Sequence, residues 1–137
     1  MGAWGFGSFE NDDAGDFLSE VAESADLSMI REAFDRALAS TEYLEAPDAS
    51  QVIAAAEIVA AAMGRPSPEA QEEEELTDWL SRVRPEVDAE LVARAGEALE
   101  RVLGENSELW ALWEEVEEFP EWQAAVTALR QRLRGEG

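Results

Sequence analysis

Apolar side chains recur every three to four positions along almost the whole chain, which is the period of an amphipathic helix. No stretch alternates convincingly at the period of a strand. Between Ser28 and Ser40, Ile30, Ala33, Phe34, Ala37 and Leu38 share one face, while Arg31, Glu32, Asp35 and Arg36 turn outward. The run from about Ala49 to Met63 is apolar almost all round and rich in alanine, so it predicts a central helix that neighbours can approach closely. Asp48 with Gln51 reads as its capping box, Gly64 as its end, and Pro66 as a stop. A short helix is expected over Thr77 to Val83, with Trp79 and Leu80 on one side, and Pro85 interrupts it. Asp88 to Leu103 carries Leu91, Val92, Ala95, Leu99, Val102 and Leu103 at helical spacing before Gly104. Asn106 or Ser107 caps the next helix, whose Leu109, Leu112, Trp113 and Val116 are expected to face inward. Pro120 opens a last helix with Trp122, Val126, Leu129 and Leu133 inward, and Arg130, Arg132 and Arg134 complement its dipole.

The first ten residues break this pattern. Gly2, Gly5 and Gly7 flank Trp4 and Phe6, leaving a bare backbone that can lie close to a surface while the rings, with Phe9, fill pockets. Such an arm is expected to pack on its own fold, with a partner or a second subunit as the other reading. A helix follows it. Asn11 or Asp12 suits the N-cap, Asp12, Asp13 and Asp16 suit the first turns, and Phe17, Leu18 and Val21 form the apolar side. The whole therefore reads as one all-α domain over residues 1–137, a compact bundle of about six helices with the glycine and aromatic arm (1–10) packed on it. An acidic, proline-containing linker (65–76) is expected between the helical halves.

The opening MGAWGFGSFENDDAGDF resembles the signature of a bacterial family of small acidic proteins, domain of unknown function family 4259, whose members open close to M-G-A-W-G-x-G-x-F-x-N-D-D-A-x-D. Residues 49–66 (ASQVIAAAEIVAAAMGRP), 106–115 (NSELWALWEE) and 122–133 (WQAAVTALRQRL) resemble later blocks of that family in the same order. Gly15-Asp16-Phe17 departs from the pattern, which has a larger residue before Asp and a Trp after it. The resemblance implies a bacterial protein and brings no activity with it.

Composition then narrows the chemistry. A chain of 137 residues fits one domain with its own core. Cysteine and histidine are absent, and all ten basic residues are arginine. Thiolate metal sites, the commonest general base, Schiff-base lysines and a Walker lysine are thereby excluded. Formal charge is −22, and it is spread: residues 1–68 hold three arginines against thirteen acids, and residues 69–137 hold seven against nineteen. A field of that sign repels nucleic acid and anionic membranes and attracts basic proteins, polyamines and divalent cations. No run is long enough to span a bilayer and no basic-then-apolar leader opens the chain, so the expected location is the cytoplasm.

Candidate chemistry is confined to carboxylates. Asp12 and Asp16 stand four apart on one helical face with Asp13 beside them, oxygen ligands of a kind that suits Mg or Ca, although N-capping alone explains acids there. Glu57 is the one charge within the most apolar helix. It reads either as a buried carboxylate acting as base or ligand, or as an exposed stripe or the partner of an arginine. Trp4, Phe6, Phe9, Glu57 and Trp110 are the candidate partner or pocket residues. No phosphate-cradling loop, nucleophile elbow or dinucleotide fingerprint is present.

Two functions follow from these residues. The first is a non-enzymatic interaction module docking a basic protein, as an inhibitor, an immunity-type protein or a charge mimic would. The alternative is a carboxylate-based, Mg- or Ca-dependent hydrolase-like enzyme, which the lack of His, Cys and Lys makes the weaker of the two. Self-repulsion at this charge predicts a fold that is more stable in moderate salt, or at mildly acidic pH, than in dilute neutral buffer. The melting midpoint followed by circular dichroism should rise with added NaCl, and a midpoint indifferent to salt would contradict this.

Overall fold

Eight helical segments follow one another among the described residues: α1 (Asp12–Ala22), α2 (Ser28–Ala39), α3 (Ala46–Ala62), α4 (Pro68–Gln71), α5 (Glu74–Val83), α6 (Ala89–Val102), α7 (Glu108–Glu114) and α8 (Phe119–Leu133). The computed structural model describes residues 12–39, 43–104 and 106–134, without the side chains of Asp12 and Glu69. The architecture is all-α. The expected bundle of about six helices becomes seven plus the four-residue turn α4. The expected arm, residues 1–10, lies outside the described residues.

α3 is the axis. Every residue from Val52 to Ala61 is buried, and α1, α2, α6, α7 and α8 all pack against it. Its alanines, Ala54, Ala55, Ala56, Ala60 and Ala61, leave room for that many neighbours. Val52, Ile58 and Val59 are fully buried and contribute roughly 1.5–3 kcal/mol each. The helix ends as the sequence suggests. Gly64 has φ +83, and its N–H donates to the Ala61 carbonyl while the Arg65 N–H donates to that of Ala60, the paired closure of a Schellman turn.

The start of α3 differs from the expectation. It begins at Ala46, three residues before the expected Ala49, with Pro47 in its first turn. Asp48 does not cap it; this side chain lies inside the first turn, 3.8 Å from Arg36. The Ala46 N–H instead donates to Glu108 Oε1 at 2.7 Å, a carboxylate brought from 62 positions away at the start of α7. An anion at a helix N-terminus is favoured by the exposed N–H groups and the dipole, and here tertiary structure supplies it. The same junction is stitched by backbone. Leu44 forms an isolated parallel bridge with Ser107, its N–H donating to the Asn106 carbonyl and its own carbonyl accepting from Glu108, each at 2.8 Å.

α1 buries Ala14, Phe17, Leu18 and Val21, α2 buries Ile30, Ala33, Phe34 and Ala37, and α8 buries Trp122, Val126, Leu129 and Leu133. Those faces are the ones the periodicity predicts. Asp88 caps α6 by accepting the Leu91 N–H at 2.8 Å, and that bond holds its carboxyl below the ordinary range. Asp26 is lowered likewise by the hydroxyl and N–H of Ser28 at the start of α2. A depressed carboxyl contributes stability above its unfolded pKa and loses it as pH falls through the folded one. The benefit of mild acid must therefore reverse once these caps protonate.

Residues 65–76, expected as an acidic linker, carry α4 and the first turn of α5, with Ala70 and Leu76 buried. α5 closes on the gap between α1 and α2. Trp79 is fully buried and its indole N–H donates to the Ser24 carbonyl, and Arg82 donates to that of Ala22. Arg84 ends α5 in the left-handed region at φ 49, ahead of Pro85.

α7 is the second departure. Leu109 and Trp113 are buried as expected, but Leu112 and Val116 are 48% and 44% exposed. The helix stops at Glu114 after only seven residues, so Val116 falls in the following turn, and α7 packs on α3 and α8 by one side only.

Candidate functional site

Glu57 sits in the second half of α3 with 1% of its surface exposed. Full burial of a lone carboxylate would cost several kcal/mol, so its partners decide what it is. Arg132 of α8 reaches it with both terminal nitrogens, Nη1 to Oε1 at 2.8 Å and Nη2 to Oε2 at 3.1 Å. The backbone N–H of Ser67 also donates to Oε1, at 3.3 Å. Arg132 Nη1 further donates to the Arg65 carbonyl at 3.1 Å, and Arg65 Nη1 returns a bond to the Arg132 carbonyl at 3.2 Å. Three segments meet at this point: the core of α3, the turn that ends it, and the last turn of α8. Of the readings open for Glu57, arginine pairing is the one the structure holds. Both carboxylate oxygens already face donors, an arrangement that suits a clamp better than a proton acceptor or metal ligand.

The sequence points to Glu57 and misses Arg132. The signal was present but weak. Arg132 lies three residues after Leu129 and directly before Leu133, on the edge of the buried face, yet a cation near a helix C-terminus has a sufficient local reason.

Most of the other arginines also make contacts within the fold. Arg31 pairs with Asp88, Arg94 with Asp35, Arg36 with Asp48 and Arg130 with Glu100, each joining two helices or a helix and a cap. Arg82 donates to a backbone carbonyl in another segment. Most of the positive charges thus make contacts within the fold, while Arg84 and Arg134 are exposed, and the far more numerous carboxylates dominate what faces water.

Of the sequence-predicted site residues, those the structure describes stand on three different helices, α1, α3 and α7. Asp13 and Asp16 are exposed on α1, and the Asp12 side chain, with Trp4, Phe6 and Phe9, lies outside the described residues. Among the described residues no group of three or more His, Cys, Asp or Glu side chains is placed to hold a metal. Trp110 is half-buried and belongs to an aromatic stack. It meets Phe119 edge-on at 5.0 Å and Trp122 at 6.3 Å, while Trp113 lies nearly parallel to Trp122 at 5.9 Å. These contacts give it a packing role in holding α7 on α8.

Two surface pockets involve none of these residues. One of about 180 Å³ is lined by Gly96, Glu97, Glu100, Arg130 and Leu133, among others, and another of about 430 Å³ by Leu38, Glu97, Glu100 and Arg101. Arg130 Nε is buried beside the first without a hydrogen-bond partner.

The clamp makes a direct prediction. Arg132→Met leaves Glu57 buried without its counter-charge and should lower the unfolding free energy in urea by about 2–4 kcal/mol. Arg134→Met, on the exposed side of the same turn, should cost less than about 0.5 kcal/mol. Adding Glu57→Met to Arg132→Met should recover most of the loss, because the pair is then replaced by apolar packing. Equal losses for Arg132→Met and Arg134→Met would contradict the assignment.

No described helix is long and apolar enough to cross a membrane. No curated protein and no solved structure matches the chain significantly. A family described as Domain of unknown function (DUF4259) matches over residues 2–125, taking in all of α1 to α7 and the start of α8. On that match the chain belongs to the DUF4259 family.

Proposed function

We propose that this protein is a non-enzymatic, cytoplasmic interaction module whose acidic helical surface docks a basic protein, in an inhibitor, immunity-type or charge-mimic role. The observation that carries the reading is the division of its charges. Most arginines make contacts between segments, such as Arg132 with Glu57 and Arg94 with Asp35, while most of the far more numerous carboxylates face solvent on a chain of net charge −22. A surface so arranged steers cationic surfaces toward it over a Debye length and repels polyanions. The carboxylate-enzyme alternative has less in its favour. Glu57 is engaged by Arg132, and Asp13 and Asp16 stand exposed on the first helix.

Pull-down with the tagged protein from its native cell extract tests the reading. A basic protein should be retained at ~50 mM salt and released at ~500 mM salt, as a screened electrostatic contact requires. Retention of nothing at either salt, or of partners held equally at both, would contradict it.

A further inference from the structure

Among the described residues the large apolar side chains left in solvent are Tyr43, Leu112 and Val116, at 50%, 48% and 44% exposure. Leu112 and Val116 lie on or just after α7, and Tyr43 adjoins the head of that helix. Tyr43 precedes Leu44, which bridges to Ser107 at the head of α7; Leu112 is in α7; Val116 is in the turn that leads to α8. Four positions separate Leu112 from Val116, and the Val116 N–H donates to the Trp113 carbonyl, so the chain is still turning as it passes from one to the other.

The charge around them is of one sign. Residues 102–129 contain seven glutamates and no arginine. Glu114, Glu115, Glu117, Glu118 and Glu121 are exposed, and among the described residues none of them enters an ion pair. The acidic run at Glu72 to Glu75 makes a useful contrast. It is as negative, but it has no large exposed apolar side chain beside it. On the same two helices, Trp110, Trp113, Phe119 and Trp122 pack on one another and join α7 to α8.

We propose that the α7–α8 corner is a docking surface for a basic amphipathic helical segment of a partner protein. Apolar side chains of that segment cover Leu112 and Val116, and its lysines or arginines meet the surrounding glutamates. This rests on the reading of the protein as a binder of basic partners and adds to it a location and an apolar component. Charge complementarity selects the occupant. A second copy of the chain would bring two sets of like charges face to face, and an anionic lipid surface would be repelled in the same way. A basic segment with an apolar stripe satisfies both features of the patch at once.

Two synthetic probes of equal length and charge test this by fluorescence anisotropy at low salt: a Lys/Leu amphipathic helical peptide and a Lys/Ser peptide. Leu112→Ser with Val116→Ser should weaken the Lys/Leu peptide by at least about tenfold and leave the Lys/Ser peptide unchanged. Two charge-matched variants place the electrostatics. Replacing Glu114, Glu115, Glu117 and Glu118 by Gln should weaken the Lys/Leu peptide several-fold more than replacing Glu72, Glu73, Glu74 and Glu75 by Gln. All the altered side chains except that of Glu73 are exposed, and circular dichroism melts verify that each variant folds. Indifference to Leu112→Ser with Val116→Ser, or equal effects of the two glutamine variants, would overturn this location while leaving the basic-partner reading intact. Failure of both peptides to bind the unaltered protein would overturn both. A dimer of the unaltered protein in sedimentation velocity that Leu112→Ser with Val116→Ser dissolves would overturn the proposal in favour of self-pairing.

Discussion

The structure depends on keeping one carboxylate, that of Glu57, inside the most apolar helix of the chain. α3 is buried along nearly its whole length, so a charge in its second half is tolerated only because Arg132 meets it with two hydrogen bonds and the Ser67 N–H with a third. That requirement binds the last turn of α8 to the centre of the fold. It also fixes the turn after α3, because Arg132 and Arg65 exchange bonds to each other's backbone carbonyls. The opposite end of α3 is held in a comparable way, by the Glu108 carboxylate on its first N–H and by the Leu44 to Ser107 bridge. The second half of the chain thus grips α3 at its start and near its finish. An isolated buried ion pair is weak support for net stability, but breaking one is costly, and this asymmetry makes the pair a constraint on arrangement.

The same use of arginine shapes the outside. In a chain with ten cations and thirty-two acids, a carboxylate partner for every arginine would still leave twenty-two acids without a counter-charge. Ion pairs such as Arg31 with Asp88 and Arg94 with Asp35 are exposed and individually contribute little to stability. The scarcity of arginine matters more for the field, which has no positive charge to offset it along stretches such as residues 102–129. Fold and surface are in this sense two outcomes of one distribution of charge.

What could be read from the sequence is what depends on neighbours close in the chain. The buried faces of α2 and α8 follow from spacing, the closure of α3 from Gly64, and the cap of α7 from Ser107, one of the two residues the sequence offers for it. What could not be read depends on residues far apart. α3 begins early because a carboxylate 62 positions away caps it, and Glu57 is neutralised by an arginine 75 positions away. Leu112 and Val116 carry the periodicity of a buried face and are nonetheless exposed, since α7 stops after seven residues and leans on its neighbours by the Leu109 and Trp113 side. For the candidate site the balance is similar. Glu57 stood out as the lone charge in an apolar run, but its role depended on Arg132, whose position at a helix C-terminus had an adequate local explanation.

Native-state hydrogen exchange on α3 tests this account most directly. If α3 is the axis that both ends of the second half hold in place, the amides from Val52 to Val59 should exchange only through global unfolding, with a free energy equal to that from urea denaturation. Exchange of those amides through a smaller local opening, while the amides of α6 remain protected to the global limit, would contradict it.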